Sequence, residues 1–316
     1  MRYDFPIRVS IVGVGHMGSL HAEKLKDIDG VKLVGVWDKD TARAEEIAEK
    51  ADTKVFSSFD DAVGYAQAVI LATPTETHGR LGLQVLKRMR HLFIEKPIAS
   101  NEQEAEILIN LAKDYGLVLM VGHIENFNPA FVKAREFIEK PLFIEAHRLT
   151  AFRGRGADVS VVEDLMVHDI EILIKLCKSE VDSIDASAAT VLTDSLDIAN
   201  VRIKFEDGCV ANLTASRLSL SQKRKMRIFQ HNAYIAIDFD KRAVEVIRPA
   251  EENAEGEVIS MGDFKLEVLH PEVPESDPLE AELKHFVQAI RQERPVDSEP
   301  ALQALRLAKH IVEEVR

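Results

Sequence analysis

The sequence predicts an α/β fold in two parts. A doubly wound parallel sheet comes first, and an α+β domain with a large open mixed or antiparallel sheet follows. Three observations predict this. Short apolar runs alternate with helical segments as far as Gly122. From Val181 onward, strand-like runs follow one another with little helix between them. The length, 316 residues, suits two domains better than one. The division is expected at residues 1–122 and 123–316.

The first part reads in order. Ile7, Val9, Ile11 and Val12 form the apolar run of a buried parallel strand. Ser19 to Lys26 reads as a helix. Val31 to Trp37 is a second strand, and Asp40 caps a helix from Thr41 to Lys50. Lys54 to Phe56 is a short third strand, and Phe59 to Tyr65 a short helix. Ala68 to Ala72 is a fourth strand and Gly79 to Met89 a helix. His91 to Ile94 is a fifth strand. Ser100 and Gln103 form a capping box for a helix reaching Tyr115. Val118 to Val121 is a sixth strand.

The second part opens with an amphipathic helix, Pro129 to Glu139. A strand, Phe143 to Thr150, and a long helix, Val162 to Leu176, follow. Six strands are expected: Ser183 to Val191, Ala199 to Phe205, Cys209 to Ser216, Lys225 to Gln230, Ala233 to Asp238 and Ala243 to Arg248. Asp207-Gly208 marks a hairpin between two of them. Glu251 to Glu257 reads as an acidic loop. The helices Leu279 to Gln292 and Ala301 to Val315 close the chain and are candidates to pack back on the first domain.

Between the first strand and its helix stands Gly13-Val14-Gly15-His16-Met17-Gly18, the spacing G-x-G-x-x-G. Gly13 permits the tight turn. Gly15 lets a pyrophosphate approach the backbone, and Gly18 lets the helix pack close to the strand. The helix N-terminus offers free N–H groups and partial positive charge. Asp38 follows Gly18 by twenty residues, at the tip of the second strand. An acid there accepts from ribose hydroxyls and repels a 2′-phosphate, so NAD is expected and NADP is less favoured. Lys39 and Arg43 nearby soften that preference. Ligands of such sheets bind outside the carboxyl ends of the strands. Thr73, Pro74 and His78 stand there, with His16, Met17, Glu95 and Lys96.

Composition narrows the class. The apolar fraction is 46%, and 29% of residues are charged, as in a soluble globular chain. No run approaches the roughly 20 apolar residues of a membrane span, and the chain enters its first strand almost at once, so neither an anchor nor a leader is expected. A net charge of −13 argues against nucleic acid as a partner. Cys177 and Cys209, the two cysteines, sit in apolar runs and suit a reducing cytoplasm. No metal-ligand spacing is present.

Three features carry possible chemistry. Lys96 stands at the tip of a central strand, where it could hydrogen-bond a substrate oxygen; a solvated strand-end lysine fits the position equally. Asp164 and His168 lie four residues apart on one helix face. A histidine there suits proton abstraction from an alcohol near neutral pH, and a carboxylate would orient it; an exposed Asp–His pair is the other reading. Two basic runs form the third feature. Arg148, Arg153 and Arg155 precede that helix, and Arg217, Lys223, Arg224, Lys225 and Arg227 follow it. They suit an anionic substrate such as a sugar nucleotide, or are solvated strand-end clusters.

These motifs together resemble the Gfo/Idh/MocA oxidoreductases over essentially the whole chain. The opening Gly13–Gly18 with His21, then Ala72-Thr73-Pro74 with His78, Glu95-Lys96-Pro97, and Asp164 with His168-Asp169 match that family's pattern. The resemblance implies a Rossmann domain, catalytic Lys96 and His168 with Asp164 alongside, and a cis Lys96–Pro97 bond. It also implies an open sheet face used in homodimer or homotetramer contacts. Gly122-His123-Ile124-Glu125-Asn126-Phe127-Asn128-Pro129 looks like the corresponding segment of the UDP-N-acetylglucosamine 3-dehydrogenases, with Asn126 where they have Arg. A sugar or nucleotide-sugar substrate is implied, and Lys96, His123, Asn126, Asp164 and His168 are expected to contact it together with Arg153, Arg155 and Arg217 of the basic runs. Met89 stands where the family often has Gly.

Overall fold

Buried apolar strands form the centre of the first unit, and amphipathic helices cover them. The computed structural model of the protein describes residues 6–152 and 159–315. The elements run β1 (Ile7–Val12), α1 (His16–Leu25), β2 (Val31–Trp37), α2 (Thr41–Lys50), α3 (Phe59–Tyr65), β3 (Ala68–Leu71), α4 (His78–Lys87), β4 (His91–Glu95), α5 (Glu102–Asp114) and β5 (Leu119–Gly122). The five strands are parallel, in the order β2-β1-β3-β4-β5. Every residue of β3 and β5 is buried, as a sheet covered on both faces requires. The order reverses between β1 and β3, so the strand ends around the glycine loop and the β3 loop flank the switch point where such sheets bind ligands.

Several expectations are corrected here. Lys54 to Phe56 is no strand: Val55 makes one isolated bridge to Val36, because the segment is too short to extend the ladder. The sheet has five strands, not six. The helix after the glycines starts at His16, since Gly15 itself serves as N-cap. The cap of α5 is Asn101, whose side chain accepts from Glu104 N at 2.9 Å. Ser100 instead donates to the Thr75 carbonyl at 3.2 Å. Met89 holds a left-handed φ of 58°, so the turn before β4 keeps a glycine-like backbone under a bulky side chain.

The second unit carries α6 (Pro129–Ala134), β6 (Pro141–Leu149), a π turn (Val162–Met166) running into α7 (Val167–Cys177), then β7 (Val181–Ala189), β8 (Ile198–Phe205), β9 (Val210–Ser216), β10 (Lys223–Gln230), β11 (Ala233–Asp238), β12 (Ala243–Pro249), β13 (Glu257–Met261) and β14 (Phe264–Leu269). They form one nine-stranded sheet, β13-β14-β12-β11-β10-β6-β9-β8-β7. Among the described residues of this sheet only the β6–β9 pair is parallel, so the sheet is mixed. Its strands alternate: in β8, Ala199, Val201, Ile203 and Phe205 are buried while the residues between them are exposed. The helix expected to reach Glu139 stops at Ala134. The β13–β14 hairpin, turning at Gly262 with φ 63°, was not foreseen.

Two helices close the chain, α8 (Pro278–Arg291) and α9 (Glu299–Glu314). One compact unit holds the chain up to Ile124 together with Asp277–Leu305, and the other holds Glu125–Ser276 with the residues from Arg306. Within the first unit, Phe286 of α8 packs edge-on against Phe93 of β4 with centroids 5.6 Å apart. Ala301, Leu302 and Leu305 of α9 join the core cluster built on β1, β3, β4 and β5.

Candidate active site

The glycine loop is shaped for close approach. Gly13 has a φ of +87°, and a Cβ on it would stand 2.7 Å from the Ala72 carbonyl. A Cβ on Gly18 would stand 1.9 Å from the Gly13 carbonyl, so the helix lies directly on the loop. Gly15 differs. A Cβ there meets nothing within 4 Å. Gly15 caps α1 without a side chain, so no cap side chain takes up the first N–H groups of the helix. His16 is exposed and Met17 half-buried beside it. This cradle fits a dinucleotide pyrophosphate, which would take the free N–H groups.

Asp38 closes the cradle. Its Oδ2 accepts from Val14 N at 2.8 Å and its Oδ1 from Asp40 N at 2.9 Å. Each carboxylate oxygen keeps a second lone pair for a ribose hydroxyl. Lys39 is exposed, and Arg43 lies 3.8 Å from Asp40, away from any bond to Asp38.

The loops after β3 and β4 are tied together. Thr73 Oγ1 and Thr77 Oγ1 are 2.7 Å apart. Thr73 is half-buried and Pro74 exposed. His78 and Glu95, expected at the cofactor, both hold neighbouring segments. His78 is 1% exposed, and its two ring nitrogens lie on the Thr73 and Pro97 carbonyls. The Glu95 carboxylate is buried against His21, with Oε1 2.7 Å from Nε2. His78 thus ties the two loops, and Glu95 ties the end of β4 to α1. Lys96 follows, half-buried, with a cis bond to Pro97. His123 is buried at the end of β5.

In the second unit, Asp164 falls within the π turn and His168 in the first turn of α7. Both are half-buried. Val167 N reaches back to the Val162 carbonyl, five residues earlier, which marks the π turn. Such turns recur at functional sites. Asp169, the next residue, is buried and grips Arg148. The guanidinium donates from Nε and Nη2 to Asp169 at 3.0 and 2.8 Å, and from Nη1 to Glu125 at 2.7 Å. Burial works against the Arg148 charge, but the two carboxylates outweigh it and hold the group firmly protonated. Sequence reasoning placed Arg148 among the substrate cations. Alternation along β6 was the overlooked signal: Ile144, Ala146 and Arg148 share the buried side.

Four more residues of the basic runs have acidic or carbonyl partners. Arg217 is 5% exposed; its Nη2 donates to the Val159 carbonyl and its Nε lies 3.7 Å from Asp197. Register sets Arg227 opposite Glu145, with which it pairs, and Lys225 opposite Asp238, 3.0 Å away. Arg224 lies 3.9 Å from Glu125 and 3.7 Å from Asp240. The run reads as uncompensated in sequence because its acids arrive from neighbouring strands. Asn126 donates to Glu171, a buried acid that also holds Lys175 at 2.6 Å. Arg153 and Arg155 lie outside the described residues. Among the described residues no cluster of His, Cys, Asp and Glu is placed to hold a metal ion, and no helix is long and apolar enough to cross a membrane.

Comparison with known proteins places this geometry. A family model described as an oxidoreductase family with an NAD-binding Rossmann fold matches residues 7–123, and a GFO/IDH/MocA C-terminal domain matches residues 145–236. The chain is 33% identical over 291 residues to a UDP-N-acetylglucosamine 3-dehydrogenase of Acidithiobacillus ferrooxidans, covering 92% of this chain and 90% of that protein. A crystal structure under that name, from the same organism, superposes with a TM-score of 0.90 at 31% identity, covering 98% of each chain. A myo-inositol 2-dehydrogenase of Thermotoga maritima is 25% identical over 334 residues, covering 98% of this chain and 97% of that protein. The chain belongs to the Gfo/Idh/MocA oxidoreductase family, and its N-terminal part is an NAD-binding Rossmann domain.

Proposed function

We propose that the protein oxidises a secondary hydroxyl of a nucleotide sugar, UDP-N-acetylglucosamine at C3 being the leading substrate. The observation that carries this substrate is the likeness to a dehydrogenase of that name over nine-tenths of both chains. Gly13, Gly15, His16, Met17 and Gly18 hold the pyrophosphate of NAD, and Asp38 holds the adenosine ribose. Asp38 also disfavours the 2′-phosphate of NADP. Thr73 and Pro74 present the rim of the same site. Residues 1–122 serve the cofactor; residues 123–316 serve the substrate and the contacts of a cytoplasmic homodimer or homotetramer.

The bound nicotinamide supplies the hydride acceptor. His168 takes the hydroxyl proton, since imidazole, whose ordinary pKa is about 6.5, is the side chain suited to act as base at neutral pH. Lys96 donates to the same oxygen and stabilises the negative charge that develops on it. Asp164 orients His168 or holds a neighbouring sugar hydroxyl. His123 and Asn126 contact the sugar, and Arg153 and Arg155 are the cations assigned to its diphosphate.

A second reading, oxidation of an uncharged polyol such as inositol, draws on a specific observation. Lys225 and Arg227 are paired with Asp238 and Glu145, which leaves less positive charge for a diphosphate. The third, a sensor without turnover, sits poorly with Lys96 and His168 both standing. NADH formation from UDP-N-acetylglucosamine and from myo-inositol, with an aminotransferase to trap the keto product, separates the three. Turnover of the nucleotide sugar alone is expected. Turnover of inositol alone would move the assignment to the polyol, and reversible NAD binding without turnover would favour the sensor.

A further inference from the structure

Buried side chains anchor the turn that carries Lys96 on both flanks. Upstream, Glu95 ends β4 with Oε1 2.7 Å from His21 Nε2, and His21 has no exposed surface. Gly122 makes the room: a Cβ there would stand 3.0 Å from Glu95 Oε2. Downstream, the Pro97 carbonyl lies 2.8 Å from His78 Nδ1. The other ring nitrogen, Nε2, lies 2.8 Å from the Thr73 carbonyl. Carbonyl oxygens only accept, so the ring N–H serves one of them in either neutral tautomer, and the doubly protonated ring serves both. Ser100 adds a second tie of the same kind, from its hydroxyl to the Thr75 carbonyl.

The two ties share a pattern. Each joins the loop after β3 to the loop after β4, and each ends on a backbone carbonyl. Neither reaches Lys96 itself. A lysine side chain is long and flexible, and a shift of the backbone beneath it carries its ammonium along. A displacement of about 1 Å at a reacting group costs on the order of a hundredfold in rate. A buried ring that spans two carbonyls is a stiff way to remove that freedom.

We propose that His78 is a positioning residue for Lys96: wedged between the Thr73 and Pro97 carbonyls, and donating to at least one of them, it fixes the lysine backbone for catalysis. The inference rests on the catalytic reading of Lys96 given above. His78 is a spacer between loops and makes no direct contact with substrate.

The test is a double-mutant cycle on the NAD-loaded enzyme, using whichever of UDP-N-acetylglucosamine and myo-inositol the unmodified enzyme oxidises. His78→Gln is expected to lower kcat by about ten- to a hundredfold, with KM and the NAD Kd unchanged. In a Lys96→Ala background the same substitution is expected to cost nothing further. Full kcat in folded His78→Gln beside an inactive Lys96→Ala overturns the positioning role alone. An equal loss in both backgrounds makes His78 merely structural and also overturns it. Unimpaired Lys96→Ala overturns the reading of Lys96 itself. Should His78→Gln fail to fold, Ser100→Ala cuts the parallel tie, and a smaller kcat loss that vanishes in the Lys96→Ala background is expected; no loss would count against the proposal.

Discussion

The backbone N–H of Val14 donates to Asp38 Oδ2 at 2.8 Å, joining the glycine loop to the tip of β2. One carboxylate thus shapes the loop and is the group proposed to hold the ribose. Asp38→Ala leaves the Val14 and Asp40 N–H groups without their acceptor. Loss of hydrogen bonds to a charged group costs about 1.5–3 kcal/mol each. NAD affinity is expected to fall at least about tenfold, and discrimination against NADP to fall with it. Fluorescence titration with both dinucleotides checks this.

Gly15 and Gly18 are predicted to respond oppositely to the same methyl group. Gly18→Ala drives a Cβ to 1.9 Å from the Gly13 carbonyl, so the loop or the helix must move. A marked drop in Tm is expected. Gly15→Ala enters open space, and its cost to stability is expected to stay within about 1 kcal/mol. Its cost appears in NAD affinity, because the methyl occupies the phosphate's approach. Thermal unfolding with and without NAD separates the two.

Arg148 is predicted to be structural. Arg148→Ala strands the buried carboxylates of Glu125 and Asp169, and breaking a buried pair in this way costs about 3–5 kcal/mol. Burial without a cationic partner disfavours the charged form of a carboxylate. The variant's deficit should then shrink as pH falls and grow as pH rises. Urea unfolding at several pH values checks the sign.

Acid sensitivity is expected from His91. Burial holds its imidazole down to about 4, against an ordinary value near 6.5. The unfolded chain takes up this proton first as pH falls. Stability contributed by the neutral ring is complete above about 6.5 and is lost progressively toward 4. His91 Nδ1 accepts from Val118 N at 3.0 Å, and an Asn side chain offers an acceptor in its place. His91→Asn is expected to flatten the stability curve over that window; an unchanged slope would assign the acid sensitivity to other groups.

The legible parts of this molecule were the local ones. Gly13, Gly15, Gly18 and Asp38 declare themselves by spacing, because each answers a steric or charge demand within one βαβ unit. The parallel strands declare themselves as apolar runs. The cap of α5 missed by one residue because Ser100 and Asn101 are both cap formers, and only the Thr75 carbonyl decides between them. The pairing of Arg227 with Glu145 spans 82 residues and depends on strand register, which no local pattern carries. The supporting roles of His78 and Glu95 were hidden for the same reason: their partners belong to other loops and helices. The β13–β14 hairpin was lost behind its acidic approach, although Gly262 marked its turn.

The most direct test is the rate of NADH formation from UDP-N-acetylglucosamine by the unmodified protein and by Lys96→Ala, with NAD affinity measured in parallel. The account predicts turnover by the unmodified protein, a loss of at least about a hundredfold in Lys96→Ala, and equal NAD affinity in both. Near-normal turnover by the variant, with NAD bound as before, would contradict it.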